Sequence, residues 1–337
     1  MEKLSATIDW LSVTAGGIYY SALLKAVGLD KGKFKTVPAR YAYMYGLRYE
    51  GISIYWGGQN ETTFLDLSGN GCREYETMSG FSLVELMGII EGMTDRMNIS
   101  RLDLAIDDKR EDSGLSIYGL ARMWRRGEVT SKTKVFKHIY GTEGETLYIG
   151  SKNSECYYRF YDKRAERINK VGADPERLPK SWNRYELQLR GNKSNKVGRM
   201  LVDGSETAGN VVKGLLKNSI HFHCPQWDAL LEGVGPLKVK REKKELSLEQ
   251  KRAWVMRQLP KTLAVMEDVY GQDFIEFLIA EGACKIDDAL RFEMERQKEQ
   301  NTMEKNQSFD PYYDLREEHF KNFGLIKDDY DVDRTDL

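Results

Sequence analysis

Residues 6–13 (ATIDWLSV) alternate β-branched, aromatic and polar positions without a glycine or proline, which predicts a strand. A short helix over 20–27 follows, then strand-like runs at 41–47, 52–56 and 62–67, separated by turns at Gly57-Gly58 and Gly69-Asn70-Gly71. This is the grammar of a meander. From 82 to 97, Leu83, Leu86, Met87, Ile90 and Met93 recur at helical intervals behind Ser82, a candidate N-cap. At 100–107 the period returns to two, with Leu102, Leu104 and Ile106 on one face and Arg101, Asp103, Ala105 and Asp107 on the other. The second half repeats the pattern without obvious sequence identity: a helix at 116–125, strands at 132–140, 146–150, 156–162 and 182–190, helical sequence at 196–216 broken near Gly204, and a short strand at 219–223. The expected fold is α+β, a largely antiparallel central sheet with helices packed on one face, in two similar halves.

After Pro236 the chain runs through a charged linker, KVKREKKE, into helical patterns at 247–300 with breaks at Pro260, Gly271 and Gly282. The apolar rows at 254–278 read as helix core. Residues 301–337 hold 10 acidic and 5 basic residues with weak periodicity, the composition of a partly disordered tail. The expected division is therefore 1–235, a small helical unit at 236–300, and an acidic tail at 301–337.

Composition narrows the class. The chain is 41% hydrophobic and 31% charged, with no run near the roughly 20 apolar residues that a membrane span requires. The opening MEKLSATIDWLSV has no cleavage-site pattern, so a cytoplasmic protein with no membrane partner is expected. Four scattered cysteines without a CxxC pair argue for reduced, mostly buried thiols rather than zinc or disulfides. A net charge of -1 conceals an asymmetry, because residues 123–200 carry 18 Lys and Arg against 9 Asp and Glu. A basic middle suits phosphate contacts; a solvated surface is the plainer alternative. No GxGxxG or GxxxxGK[ST] spacing occurs, so no nucleotide-driven motor is expected and any unwinding would fall to a host helicase.

In CYYRFYDK, alternation sets Tyr157, Arg159, Tyr161 and Lys163 on one side. Phenol, guanidinium, phenol and ammonium in one row make a poor core but a place to bind and attack a phosphodiester. The flanking cations would favour the phenolate of Tyr161, whose ordinary pKa is about 10. The row could equally be amphipathic filler on a half-exposed strand, and a one-residue shift would bring Tyr158 inward in place of Tyr157 and Tyr161. In WNRYELQLR, Arg184, Glu186, Gln188 and Arg190 share a side. Asp103 and Glu186, with Asp107 third, are candidate oxygen ligands for Mg²⁺ or Mn²⁺, or else partners of Arg101 and Arg184 in surface salt bridges. Lys152, in the turn GSKNS, and Arg184 and Arg190 are candidate DNA contacts.

The ordered set IDWLSVT, GNGCREYE, SRLDLAIDD, LYIGSKNSECYYRFYDKRAE and WNRYELQLRG resembles the replication initiation factor family, over residues 5–225. That family includes rolling-circle plasmid initiators of the staphylococcal type and relaxases of Gram-positive integrative conjugative elements. The resemblance implies an enzyme that cuts one strand of origin DNA, stays linked to the 5′ phosphate through tyrosine, and later rejoins the ends. It assigns the nucleophile to Tyr161 and the metal to Asp103, Asp107 and Glu186, leaving homodimerisation open. His221-Phe222-His223 resembles the metal motif of the broader nickase superfamily and follows the tyrosine as in permuted relaxases, but the family resembled here does not place its metal there, so it is the weaker metal candidate.

Overall fold

A computed structural model describes residues 3–58, 61–142, 144–239, 248–286, 290–292, 294–296 and 298. The chain divides into two units, Met1–Glu242 and Lys243–Leu337. In the first unit the chain runs β1 (Leu4–Gly16), α1 (Tyr20–Ala26), β2 (Lys35–Thr36), β3 (Tyr45–Tyr49), β4 (Ile52–Trp56), β5 (Thr62–Leu67), α2 (Gly69–Ser79) and α3 (Leu83–Met93). It continues with β6 (Met97–Asp108), α4 (Ile117–Arg126), β7 (Val129–Ser131), β8 (Phe136–Gly141), β9 (Gly144–Ile149), β10 (Cys156–Asp162) and α5 (Lys163–Val171). It closes with β11 (Asn183–Arg190), α6 (Gly191–Val202), α7 (Ala208–Ser219), β12 (Ile220–Phe222) and α8 (Pro225–Leu230).

Ten strands form one sheet in the order β2-β3-β4-β5-β1-β6-β11-β10-β9-β8, antiparallel throughout, while β7 and β12 make a separate pair. Each half has one plan: a long strand, a helix, a four-stranded meander whose last strand returns to the first, then two helices. β1 and β6 join the halves about an approximate dyad at the Leu11–Leu102 pair. Each strand carries a bulge two residues before that point, at Asp9 on β1 and Ser100 on β6. Leu11 pairs with Leu67 and Leu102 with Leu189, which aligns Leu65-Asp66-Leu67-Ser68-Gly69-Asn70 with Leu187-Gln188-Leu189-Arg190-Gly191-Asn192. The shared LxLxGN is a trace of the repeat that reading the sequence alone did not reveal.

Alternation sends Leu11, Val13, Leu65, Leu102, Leu104, Phe160, Leu187 and Leu189 to one face, where they are fully buried with Leu86 and Ile90 of α3, Val197 of α6 and Val212 of α7. Each such side chain contributes about 1.5–3 kcal/mol of burial. Ser82 and Glu85 form a reciprocal capping box that starts α3. The opposite face of the sheet is polar and holds the candidate site.

Several boundaries differ from expectation. Residues 41–44 are not strand, because Tyr41 and Ala42 take left-handed φ of 56° and 64° and turn the chain before β3. Gly69-Asn70-Gly71 opens α2 instead of making a turn; a side chain at Gly71 would lie 2.1 Å from the Gly51 carbonyl oxygen, so glycine permits the helix to pack on the β4 hairpin. The helix at 82–97 ends at Met93, and α5 was not anticipated. Of the four cysteines, all free, only Cys72 is fully buried.

In the second unit, α9 (Leu248–Gln258), α10 (Pro260–Tyr270) and α11 (Gln272–Ala283) are described; Pro260 occupies the first turn of α10, where its missing N–H costs nothing. Contrary to the expected helix core, α10 and α11 bury none of their residues. The acidic tail at 301–337 lies outside the described residues. Among the described residues no helix is long and apolar enough to cross a membrane.

Candidate functional site

Strand β10 settles its own register. Tyr158 and Phe160 point into the core with Tyr185 and Trp227, and burial drives the Tyr158 pKa well above its ordinary value. Tyr157, Arg159 and Tyr161 line the polar face; Tyr157 stacks on Tyr148 at 5.7 Å. Lys163 is not the next strand residue but the first of α5, whose N-cap Asp162 accepts from the Ala165 N–H at 2.8 Å. The turn into the helix folds Lys163 back, placing Nζ 3.4 Å from the Tyr161 hydroxyl and in an ion pair with Glu166.

Four groups therefore converge. The Tyr161 hydroxyl donates toward Glu186 Oε2 at 3.5 Å, Arg159 donates to the same oxygen at 2.8 Å, and the Arg159 guanidinium lies 4.6 Å over the Tyr161 ring. Burial raises the Tyr161 pKa and the Glu186 charge raises it further; Arg184 and Arg159 pull down without offsetting them. This corrects the expectation that flanking cations would favour the phenolate: the ring is only 4% exposed. Glu186 is itself pushed up to about 7, chiefly by burial, with Arg159 opposing and Asp103 and Asp9 adding repulsion. A carboxylate poised there can take a proton that the phenol must lose.

Arg184, expected to meet DNA, is 6% exposed and committed elsewhere. Its Nε and Nη2 grip Asp107 at 2.7 and 2.8 Å and its Nη1 reaches Asp9 at 3.0 Å, while Trp182 Nε1 donates to Asp107 at 2.8 Å. Asp107 is thus gripped by a fork, and its pKa is lowered because Arg184 outweighs the opposing effect of burial. Asp103 is held by Arg101 at 2.9 and 2.5 Å; burial nevertheless raises its pKa. Lys152 is exposed in the turn after β9, and Arg190 is exposed at the end of β11, donating to Gln188 at 3.2 Å. His221 on β12 and His223 just after it are exposed, bound to Asp228 at 3.0 Å and Thr130 at 2.9 Å respectively.

Asp9 was missed. Its signal is a broken alternation: the core residues Ile8 and Leu11 are three apart, so an extra residue bulges onto the polar face. Asp9, Asn70, Arg73, Asp107, Tyr161, Lys163 and Arg184 line a cleft of about 600 Å³. Among the described residues no three His, Cys, Asp or Glu side chains gather into a closed metal cage. Asp9, Asp103, Asp107 and Glu186 instead stand on one sheet face, interleaved with Arg101, Arg159 and Arg184.

A tyrosine, a carboxylate and clustered cations in a cleft on a doubled antiparallel sheet define a site suited to phosphate-ester chemistry. The chain belongs to the replication initiation factor family, whose model matches residues 97–279, beginning at β6 and so including the half that carries Tyr161. It is 30% identical over 164 residues to the putative DNA relaxase NicK of Bacillus subtilis (strain 168), a match covering 46% of this chain and 46% of that protein. The match thus spans about half the length of that curated relative. The fold is similar to that of the rolling circle replication initiator protein from Geobacillus stearothermophilus, with a TM-score of 0.61 and 27% identity, covering 71% of this chain and 99% of that one.

Proposed function

We propose that this chain nicks one strand of origin DNA and rejoins it through a 5′-phosphotyrosyl intermediate on Tyr161, initiating rolling-circle replication or conjugative transfer of a mobile element. The observation that carries the reading is the convergence of Arg159, Lys163 and the buried Glu186 on Tyr161, which lines the cleft, in a member of this family. The Tyr161 oxygen attacks phosphorus, its proton passes to Glu186, and the bond to the 3′ oxygen breaks. That oxygen takes up a proton as it leaves as a 3′ hydroxyl. Arg159 and Lys163 neutralise the phosphate during the transfer. Rejoining is the reverse, with the free 3′ hydroxyl attacking the phosphotyrosine.

The donor set suits a hard divalent cation: the carboxylates offer only oxygen, stand on one face of a rigid sheet, and add their repulsion to the burial that holds Glu186 near 7. Asp103 and Asp107, each now paired with an arginine, would hold Mg²⁺ or Mn²⁺ with Asp9 beside them, leaving Glu186 to take the phenolic proton. The ion would supply Lewis-acid neutralisation of the phosphate. Supercoiled DNA carrying the gene's own flanking sequence tests the reading: a covalent adduct mapped by mass spectrometry to Tyr161 is expected. Free 5′ phosphate ends without adduct would instead mean a water-using nuclease, and binding without cutting a regulatory protein.

A further inference from the structure

The first half carries a second cleft on the same sheet face, about 440 Å³, whose lining includes Trp10, Tyr41, Tyr43, Phe64, Asp66 and Arg190. The dyad states what this half has become. Phe64 stands where the second half has Glu186, Tyr55 where it has Arg159, Trp10 where it has Arg101, and Gly57 where it has Tyr161. The ion pair Arg159–Glu186 is matched by a ring pair, Tyr55 and Phe64, stacked at 6.2 Å and 21°. With the nucleophile and its cations gone, this half cannot repeat the chemistry. It displays aromatic rings instead.

The rings are displayed deliberately. Successive left-handed residues Tyr41 and Ala42 turn the chain so that Tyr41 stands edge-on to Phe64 at 5.4 Å, yet remains 66% exposed. Tyr43 lies parallel to Phe64 at 6.1 Å. Beside them Asp66 Oδ1 accepts from Ser12 at 2.6 Å and Trp10 Nε1 at 2.9 Å, which fixes the carboxylate and leaves Oδ2 without a partner among the described residues. The two clefts adjoin along β1: Thr7 and Asp9 line the one at Tyr161, and Trp10, Ser12 and Thr14 line this one.

We propose that the aromatic cleft takes one unstacked nucleobase bearing an exocyclic amine from the strand whose phosphate lies at Tyr161, so the degenerate half reads what the other cuts. The base stacks on the exposed ring of Tyr41 with its edge toward Phe64, its amine donates to Asp66 Oδ2, and Arg190 meets an adjoining phosphate. This rests on the nicking reading above.

Fluorescence anisotropy of the full-length protein with single-stranded dA, dC and dT oligomers of about 15 nucleotides, and with an abasic oligomer of the same length, tests it. The dA and dC strands should bind about ten-fold tighter than the abasic strand. Tyr41→Ala, at an exposed position, should remove most of that advantage without changing abasic affinity, and Asp66→Asn should flatten the preference over dT. Equal binding of abasic and base-bearing strands by the wild type, or an advantage that survives Tyr41→Ala, overturns the proposal. Adduct formation on the same preparations separates the two readings. A Tyr161 adduct without base preference overturns the pocket alone. Tyr41-dependent base preference without an adduct supports the pocket and overturns nicking.

Discussion

Replacing Arg184 by alanine tests whether this residue is a DNA contact or the keystone of the sheet face. In the native protein its side chain is 8% exposed, Asp107 is 8% and Asp9 23%, and one guanidinium serves both carboxylates. Truncation would leave two largely buried carboxylates without their cation, a loss of about 3–5 kcal/mol. At roughly 2–4 °C per kcal/mol for a domain of this size, Tm should fall by about 6–20 °C. Arg184→Lys keeps the charge but loses the fork, and should cost less. The pH dependence has a definite sign. The folded pKa of Asp107 lies below its unfolded value, so its stabilisation is complete above about 3.9 and is lost as pH falls through the folded pKa. In Arg184→Ala burial is opposed only by Trp182 and Lys109, so that pKa rises relative to wild type and the deficit against wild type should shrink as pH falls. Urea unfolding at several pH values measures this, alongside DNA-binding anisotropy. Stability within about 1 kcal/mol of wild type, with weakened DNA affinity and a shallower salt dependence, would refute the reasoning and make Arg184 a phosphate contact.

Tyr161→Phe should bind origin DNA almost unchanged and form no adduct; because the hydroxyl's two contacts are long, at 3.4 and 3.5 Å, its Tm should shift by no more than about 2 °C. An adduct on Tyr157 of the wild-type protein would move the chemistry along β10. Glu186→Gln should slow adduct formation by about 10²–10⁴-fold in single-turnover assays while DNA binding survives, and a near-wild-type rate would deny it the role of proton acceptor. Chelation by EDTA should stop cutting and Mg²⁺ or Mn²⁺ restore it, with Asp103→Asn raising the metal concentration required. Cutting at full rate in EDTA would exclude the metal.

Periodicity carried far where local pattern and tertiary environment agree. β10, β4 and β5 begin and end where alternation places them, and the polar faces of β6, β10 and β11 do share one side of the sheet. It failed where packing overrides propensity. The glycines before α2 look like a turn because nothing local announces that Gly51 will press against Gly71. Alternation also names a face without naming partners: Arg184, Asp107 and Glu186 were all visible as polar positions, but Arg184's bond to Asp107 depends on β11 lying against β6. Asp9 was hidden because a bulge breaks the very rule used to find faces. Lys163 reaches Tyr161 only because the strand turns into a helix after Asp162.

The way each meander closes on its own long strand bears on how such a gene can be rearranged. Near the start of the first unit, a side chain at Gly209 of α7 would touch Ala6 at 3.5 Å; near its end, Leu237 donates its N–H to the Gly214 carbonyl at 2.9 Å. Both ends thus rest on one helix, about 8 Å apart along its axis. The halves are joined covalently through the exposed connection at Asp95. A circular permutant of the first unit opened there, with the ends beside Ala6 and Leu237 bridged by a short linker, would begin at β6, retain every strand pairing, and place the Tyr161 half first in the reading frame. Gene order and site geometry are separable in this fold, so motif order alone is a poor guide to kinship among proteins built on it.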